Sequence, residues 1–295
     1  MNKNYTSRRR FIKTSISALA SWPVHASNTI KVYHIGLQAH AFSDKIINDP
    51  DATLTAISRV GYKEIEHTDY SHQKFFGLSP HRFRKLLDDT GLSVPTGQTI
   101  LTKNDWKPGL NDISDTWKQA INDALTVGQH YIFSPFFDWD IRSMEEVKRG
   151  IEAYNRCGQI CQQAGINFGY RTEEKVVRQA HQSTTLYDYL LGEMDTHYVY
   201  QQLDVTALVL AKSDPIHILR SSPHHFQSMR LNGCKNTPSE ILLSGEESFD
   251  FDDILSFARR STIIKHWILG FDKPGESTFD NAGKILTHFK QFGFI

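Results

Sequence analysis

The segment Tyr170-Arg171-Thr172-Glu173-Glu174 places three charged side chains directly after a short apolar run that begins at Ile166 and follows a helix-stopping Gly165. Burying charge is costly unless the charge is paired or used, so crowding of this kind marks a site. A carboxylate there can move a proton, and a guanidinium can grip a carboxylate or phosphate through its planar fork. Residues of similar chemistry stand where other apolar runs end. They are Gln38 and His40, Glu66 and His67, Gln98, Asp204, Arg230 and Asn232, and Asp272 after Gly270.

The elements that must position these residues follow one grammar. "AISRVGYKEIEH", "LLDDTGLSVPTG", "ALTVGQHYIFSPF" and "CQQAGINFGYR" each carry a helical run to a glycine, then a short β-prone run, then polar residues. Glycine at the C-terminal end of a helix adopts the left-handed conformation at little steric cost. Gly61, Gly91, Gly128 and Gly165 recur every 30 to 37 residues, the length of one strand and one helix. "KVYHIGLQ", "THYVYQQLDV", "HHFQSMRLNG" and "IIKHWILGFD" supply further strands, and "DPIHILRSS", "FDDILSFARRS" and "NAGKILTHFKQF" further helices. Eight β/α units predict a (β/α)8 TIM barrel of the α/β class, with the site at the C-terminal strand ends. A doubly wound open sheet is the alternative. The first βα turn has no G-x-G-x-x-G, which argues against dinucleotide binding.

The bulk numbers exclude several classes of partner. Lys+Arg and Asp+Glu are both 33 in 295 residues, so nothing in the net charge attracts nucleic acid or an anionic membrane. No apolar run approaches the roughly 20 residues that span a bilayer. Balanced charge and strand-end loops are compatible with a homodimer. Cys157 and Cys161, four apart on a helix, share a face; two small buried residues are expected rather than a disulfide, and Cys234 stands alone. His224 and His225 precede the seventh strand and fall on the rim opposite the site. Phe136, Phe137 and Trp139 follow the fourth strand, where they suit either a sugar face or packing beneath a loop.

The N-terminus reads as an address. Ser7-Arg8-Arg9-Arg10-Phe11-Ile12-Lys13 resembles the twin-arginine export motif, and small residues near Ala26 suit cleavage. The expectation is a signal peptide over 1–26, a barrel over 27–295 and a periplasmic location. The alternative is a disordered basic tail.

Four stretches in order resemble the xylose-isomerase-like barrels known as sugar phosphate isomerases/epimerases: "IGLQAHAFSD", "RVGYKEIEHTDY", "DVTALVLAKSDP" and "SGEESFDFDDIL". The resemblance implies a divalent metal in the barrel mouth that polarises a sugar carbonyl while carboxylates shuttle a proton. Residue by residue, Glu66 and Asp204 stand at ligand-like positions as a remnant. Gln98 replaces a His. Arg171-Thr172-Glu173 falls where the family reads HNH, Arg230 falls in place of His in HVKD, and Gly270 in place of an acidic residue. Arginine is always protonated and cannot ligate a cation. At ~6 Å and an effective dielectric near 20, one arginine opposes a divalent ion by roughly 5 kcal/mol. The expectation is therefore a barrel with the usual metal site largely lost, in which Arg171 and Arg230 pair with Glu66, Asp204 or Glu173. Mn, Mg or Zn would need a ligand set rebuilt with His40 or His67.

Three functions fit this reading. One is an isomerase/epimerase with Glu173 as base and Arg230 facing a carbonyl or phosphate. Another is a non-catalytic periplasmic protein binding a small carbohydrate, sugar acid or sugar phosphate through Gln38, His40, Gln98, Arg171 and Asn232. The third is a relic with no ligand.

Overall fold

The computed structural model describes residues 33, 35–231, 240–242, 248–261, 263–270, 278–291, 293 and 294. The signal-peptide expectation, Asn232, Cys234 and Asp272 lie outside them. Eight parallel strands close into a barrel: β1 Ile35–Gln38, β2 Glu64–His67, β3 Ser93–Gln98, β4 Tyr131–Ser134, β5 Asn167–Arg171, β6 Val199–Asp204, β7 Phe226–Leu231 and β8 His266–Leu269. Each pairs with its sequence neighbours, and β8 pairs with β1 to close the ring. The fold is the (β/α)8 TIM barrel that the glycine rhythm predicts.

The outer helices are α1 Pro50–Val60, α2 Pro80–Thr90, α3 Asp115–Val127, α4 Met144–Ala164, α5 Leu186–Glu193, α6 Pro215–Ser221, α7 Phe251–Ser261 and α8 Thr278–Gln291. Their ends are written in the sequence. Asp49, Ser79, Ser114, Ser143, Thr185 and Asp214 each accept a backbone N–H from the first turn of α1 to α6 in order. α1 to α4 stop at Gly61, Gly91, Gly128 and Gly165, all left-handed, with φ of 116, 67, 86 and 89°. Among the described residues, no helix is long and apolar enough to cross a membrane.

Strand alternation sorts the side chains. On β5, Phe168 and Tyr170 point outward onto Tyr154 of α4, with ring centroids 5.3 and 5.7 Å apart. Gly169 and Arg171 therefore point inward, and Phe133 fills the space a Cβ on Gly169 would need. α4 seats against the start of β6 through Gly158. A Cβ there would lie 2.4 Å from the Tyr198 carbonyl oxygen, so no larger residue fits without moving backbone. Cys157 and Cys161 are buried free thiols on the same helix. Burial pushes the Cys157 thiol well up.

The inward residues form layers. Near the N-terminal end, Tyr131 packs edge-on to Tyr200 and His266, and His266 Nδ1 lies 3.4 Å from Glu64. The next layer is polar, with Glu66, Thr96, Gln202 and Ser228 all fully buried. Barrel interiors are ordinarily filled by branched aliphatic side chains. Here the polar layer supports the residues of the mouth: Gln38, Gln98, Arg171, Asp204 and Arg230.

Candidate active site in the barrel mouth

Glu66 carries its charge at the centre of the barrel with no solvent exposure. Its Oε1 accepts from Gln98 Nε2 at 3.0 Å and Gln38 Nε2 at 3.3 Å. Its Oε2 accepts from Gln202 Nε2 at 2.6 Å and Thr96 Oγ1 at 3.1 Å. Four donors from three strands replace the hydration that burial removed. An ionised carboxylate only accepts, so it turns the amide nitrogens of Gln38 and Gln98 inward and their oxygens toward the mouth. Arg230 Nη2 donates to Gln38 Oε1 at 2.7 Å, and Arg171 Nη1 reaches Gln98 Oε1 at 3.5 Å. Each glutamine thus links the buried carboxylate to one arginine.

Asp204 ends β6 and starts the short helix Val205–Leu210. Its Oδ1 accepts the Ala207 N–H at 3.1 Å, capping that helix, and its Oδ2 accepts from Arg230 Nη1 at 3.1 Å. Arg171 Nε lies 4.0 Å from the same Oδ2. Above these groups opens a cavity of about 310 Å³, lined by Gln38, His40, Gln98, Arg171 and Arg230 from the expected set. Thr68, Tyr70, Thr99, Ile100, Pro135 and Phe136 complete the lining. Tyr70 belongs to a hairpin, Tyr70–Phe75, and is anchored by donating its hydroxyl to Asp123 at 2.6 Å. Burial and that acidic partner push the Tyr70 phenol up.

Several expectations are corrected. Arg230 does pair with Asp204, but the partners of Glu66 are neutral amides and a hydroxyl rather than an arginine. His67 is fully buried and points out of the barrel, edge-on to Phe75 at 4.8 Å, so it cannot join Glu66 in a ligand set. A Cβ on Gly97 would meet both His67 Nε2 and Gln129 Nε2 at 2.0 Å, which shows that the ring occupies the surface of β3. Neither His67 nitrogen makes an aligned hydrogen bond, and burial lowers its pKa to about 4. Glu173 is buried beside the mouth but does not line the cavity. Burial holds its carboxyl above the usual range against the opposing pull of Lys175, whose Nζ is 3.3 Å away. Phe137 and Trp139 pack on Tyr154, while Phe136 stays 46% exposed at the cavity. His225 directly precedes β7, on the rim opposite the mouth, as expected. Gln202, Thr96 and Ser228 were not singled out in the sequence, because their strands read there only through their ends.

The described residues of the mouth do not fit a divalent metal. All four oxygens of Glu66 and Asp204 already accept from N–H or O–H donors, and two guanidinium groups stand beside them. Among the described residues, no group of three or more His, Cys, Asp or Glu side chains is gathered to hold an ion.

No protein-family profile and no curated protein matches the sequence. Solved structures do. Two sugar phosphate isomerases/epimerases from Parabacteroides distasonis ATCC 8503 superpose with TM-scores of 0.75 and 0.72, each at 19% identity. They cover 88% and 90% of this chain, and 98% of each of those chains is matched. An L-ribulose 3-epimerase superposes at 0.62 with 12% identity, covering 89% of this chain and 95% of that one. At these identities the likeness is one of fold: this chain shares the (β/α)8 TIM barrel of those proteins.

Two predictions follow from the buried groups. Glu66→Gln keeps the shape but confronts the amide donors with another amide. The expected cost is about 3 kcal/mol, read in thermal denaturation as a fall in Tm of roughly 6–12 °C. An unchanged Tm would show that the four donors do not depend on the charge. His67 binds a proton at about 4 in the folded protein and near 6.5 when unfolded. Its contribution is complete above pH ~6.5 and is lost as pH falls toward 4, by about 3 kcal/mol. Urea titrations across that window are expected to show the loss, and a His67→Leu variant to show a correspondingly flatter profile.

Proposed function

We propose that the protein is an exported barrel of the sugar isomerase/epimerase type whose mouth binds a small carbohydrate without the divalent metal. The observation that carries this reading is the cavity's lining. Amides, hydroxyls and an imidazole stand beside the exposed Phe136 ring, a combination suited to the hydroxyls and the apolar face of a sugar. At about 310 Å³ the space is at the small end of ligand cavities and suits a monosaccharide. Arg230, fixed by Asp204 and Gln38, presents a positive group to the cavity. The structural neighbours named for sugar isomerases and epimerases support the ligand class. The export part rests on the Arg8-Arg9 motif.

A second reading keeps the chemistry. The raised carboxyl of Glu173 favours it, because burial makes that carboxylate a stronger base for proton abstraction beside a carbonyl. In that reading Glu173 takes the proton and Arg230 stabilises the oxygen.

Calorimetric titration of the full chain with a panel of ketoses, aldoses and their derivatives is expected to find at least one ligand. Gln98→Leu is expected to weaken it about tenfold, the loss of one or two hydrogen bonds. Absence of binding across the panel would overturn the proposal. Solvent-deuterium incorporation into a bound sugar, abolished in Glu173→Gln, would select the enzymatic reading. Recovery of the protein only from the cytoplasmic fraction, with Met1 intact, would refute export.

A further inference from the structure

The two arginines at the mouth are not equivalent. Arg230 has both terminal nitrogens engaged at short range, on Asp204 at 3.1 Å and on Gln38 at 2.7 Å. Arg171 is held more loosely, by a 4.0 Å ion pair with Asp204 and by contacts at the limit of hydrogen bonding. Its Nη1 is 3.5 Å from Gln98, its Nη2 is 3.4 Å from the Pro135 carbonyl, and its Nε has no aligned acceptor. Its side chain is 13% exposed and lines the cavity. The Phe136 ring lies 5.6 Å from its Cζ. A largely desolvated guanidinium with long contacts is a poor resting arrangement unless an acceptor arrives. Guanidinium edges match planar two-oxygen anions.

Charge bookkeeping narrows the anion. Among the described residues of the mouth network, Glu66 and Asp204 contribute two carboxylates, and Arg171 and Arg230 two guanidinium groups. An incoming monoanion leaves an excess of one negative charge, whereas a dianion leaves two. Both arginines line the cavity, but Arg230 is tied at short range to Asp204 and Gln38, so Arg171 is the one with an edge to offer.

Resting on the carbohydrate reading above, we propose that the ligand is a sugar acid, a monosaccharide bearing one carboxylate, and that Arg171 is the residue that selects it. The carboxylate docks on the Arg171 edge beside Pro135 and Phe136. The hydroxyls face Gln38, His40, Thr68 and Thr99. Arg230 is a positioning residue, kept in place by Asp204 and by the Glu66–Gln38 link.

The test compares three probes by calorimetry on the full chain: a hexose, the hexonic or hexuronic acid derived from it, and the hexose phosphate. The acid is expected to bind about tenfold or more tighter than the neutral sugar, as a desolvated charge-assisted pair should give. That preference is expected to collapse toward one in Arg171→Met and to return in part in Arg171→Lys, with far-ultraviolet circular dichroism confirming the fold of each. A preference that survives in Arg171→Met would overturn the assignment of the residue. Equal affinity for the neutral sugar and the acid, or tighter binding of the phosphate, would overturn the ligand class while leaving the carbohydrate reading intact. Failure of all three probes, together with the wider sugar panel, would overturn both.

Discussion

A single buried carboxylate organises this barrel. Glu66 sits where a hydrophobic plug ordinarily fills the interior, and its cost of burial is offset only because three neighbouring strands send it four donors. The consequences run outward. Glutamines that face Glu66 with nitrogen must face the mouth with oxygen. Those oxygens hold the arginines, and one arginine holds Asp204. Asp204 in turn starts a helix. The polar site is therefore a connected network whose hydrogen-bond directions are set from its most buried member.

That network explains why the mouth differs electrostatically from a metal centre. A metal site concentrates negative charge and waits for a cation. Among the described residues, the cations beside Asp204 are Arg171 and Arg230, covalent parts of the chain. Arginine brings direction as well as charge. Its donors lie in a plane and can be matched by a ligand only from particular sides. Among the described residues, the edges of guanidinium and amide groups are what face the cavity.

The legibility of the fold and of the site differ for physical reasons. Helix stops at Gly61, Gly91, Gly128 and Gly165 are local, because a left-handed φ depends on one residue, and the barrel could be counted from them. Strand ends were legible too: Gln38, Gln98, Arg171, Asp204 and Arg230 all meet at the mouth. Parity was not. His67 follows Glu66 by one residue, which on a strand sends it to the opposite face. Partner choice was not legible either. Charge complementarity suggested arginine for Glu66, but Gln202 and Thr96 lie closer, and a polar residue in mid-strand carries no local sign that it supports a site. The hairpin that brings Tyr70 to the cavity is a two-residue pairing, too short to leave a periodic trace.

The cysteines of α4 carry a last consequence. Cys157 and Cys161 lie on the buried face of the helix, flanking Gly158, where the helix touches the carbonyl of Tyr198. Reagents cannot reach a thiol at zero exposure, and burial keeps Cys157 from forming the reactive thiolate. Both obstacles vanish together when α4 lifts from the sheet. The rate at which these two thiols are alkylated in native buffer is thus a clock for that one opening. It reports the free energy that fastens the longest helix to the barrel, separately from the unfolding of the whole.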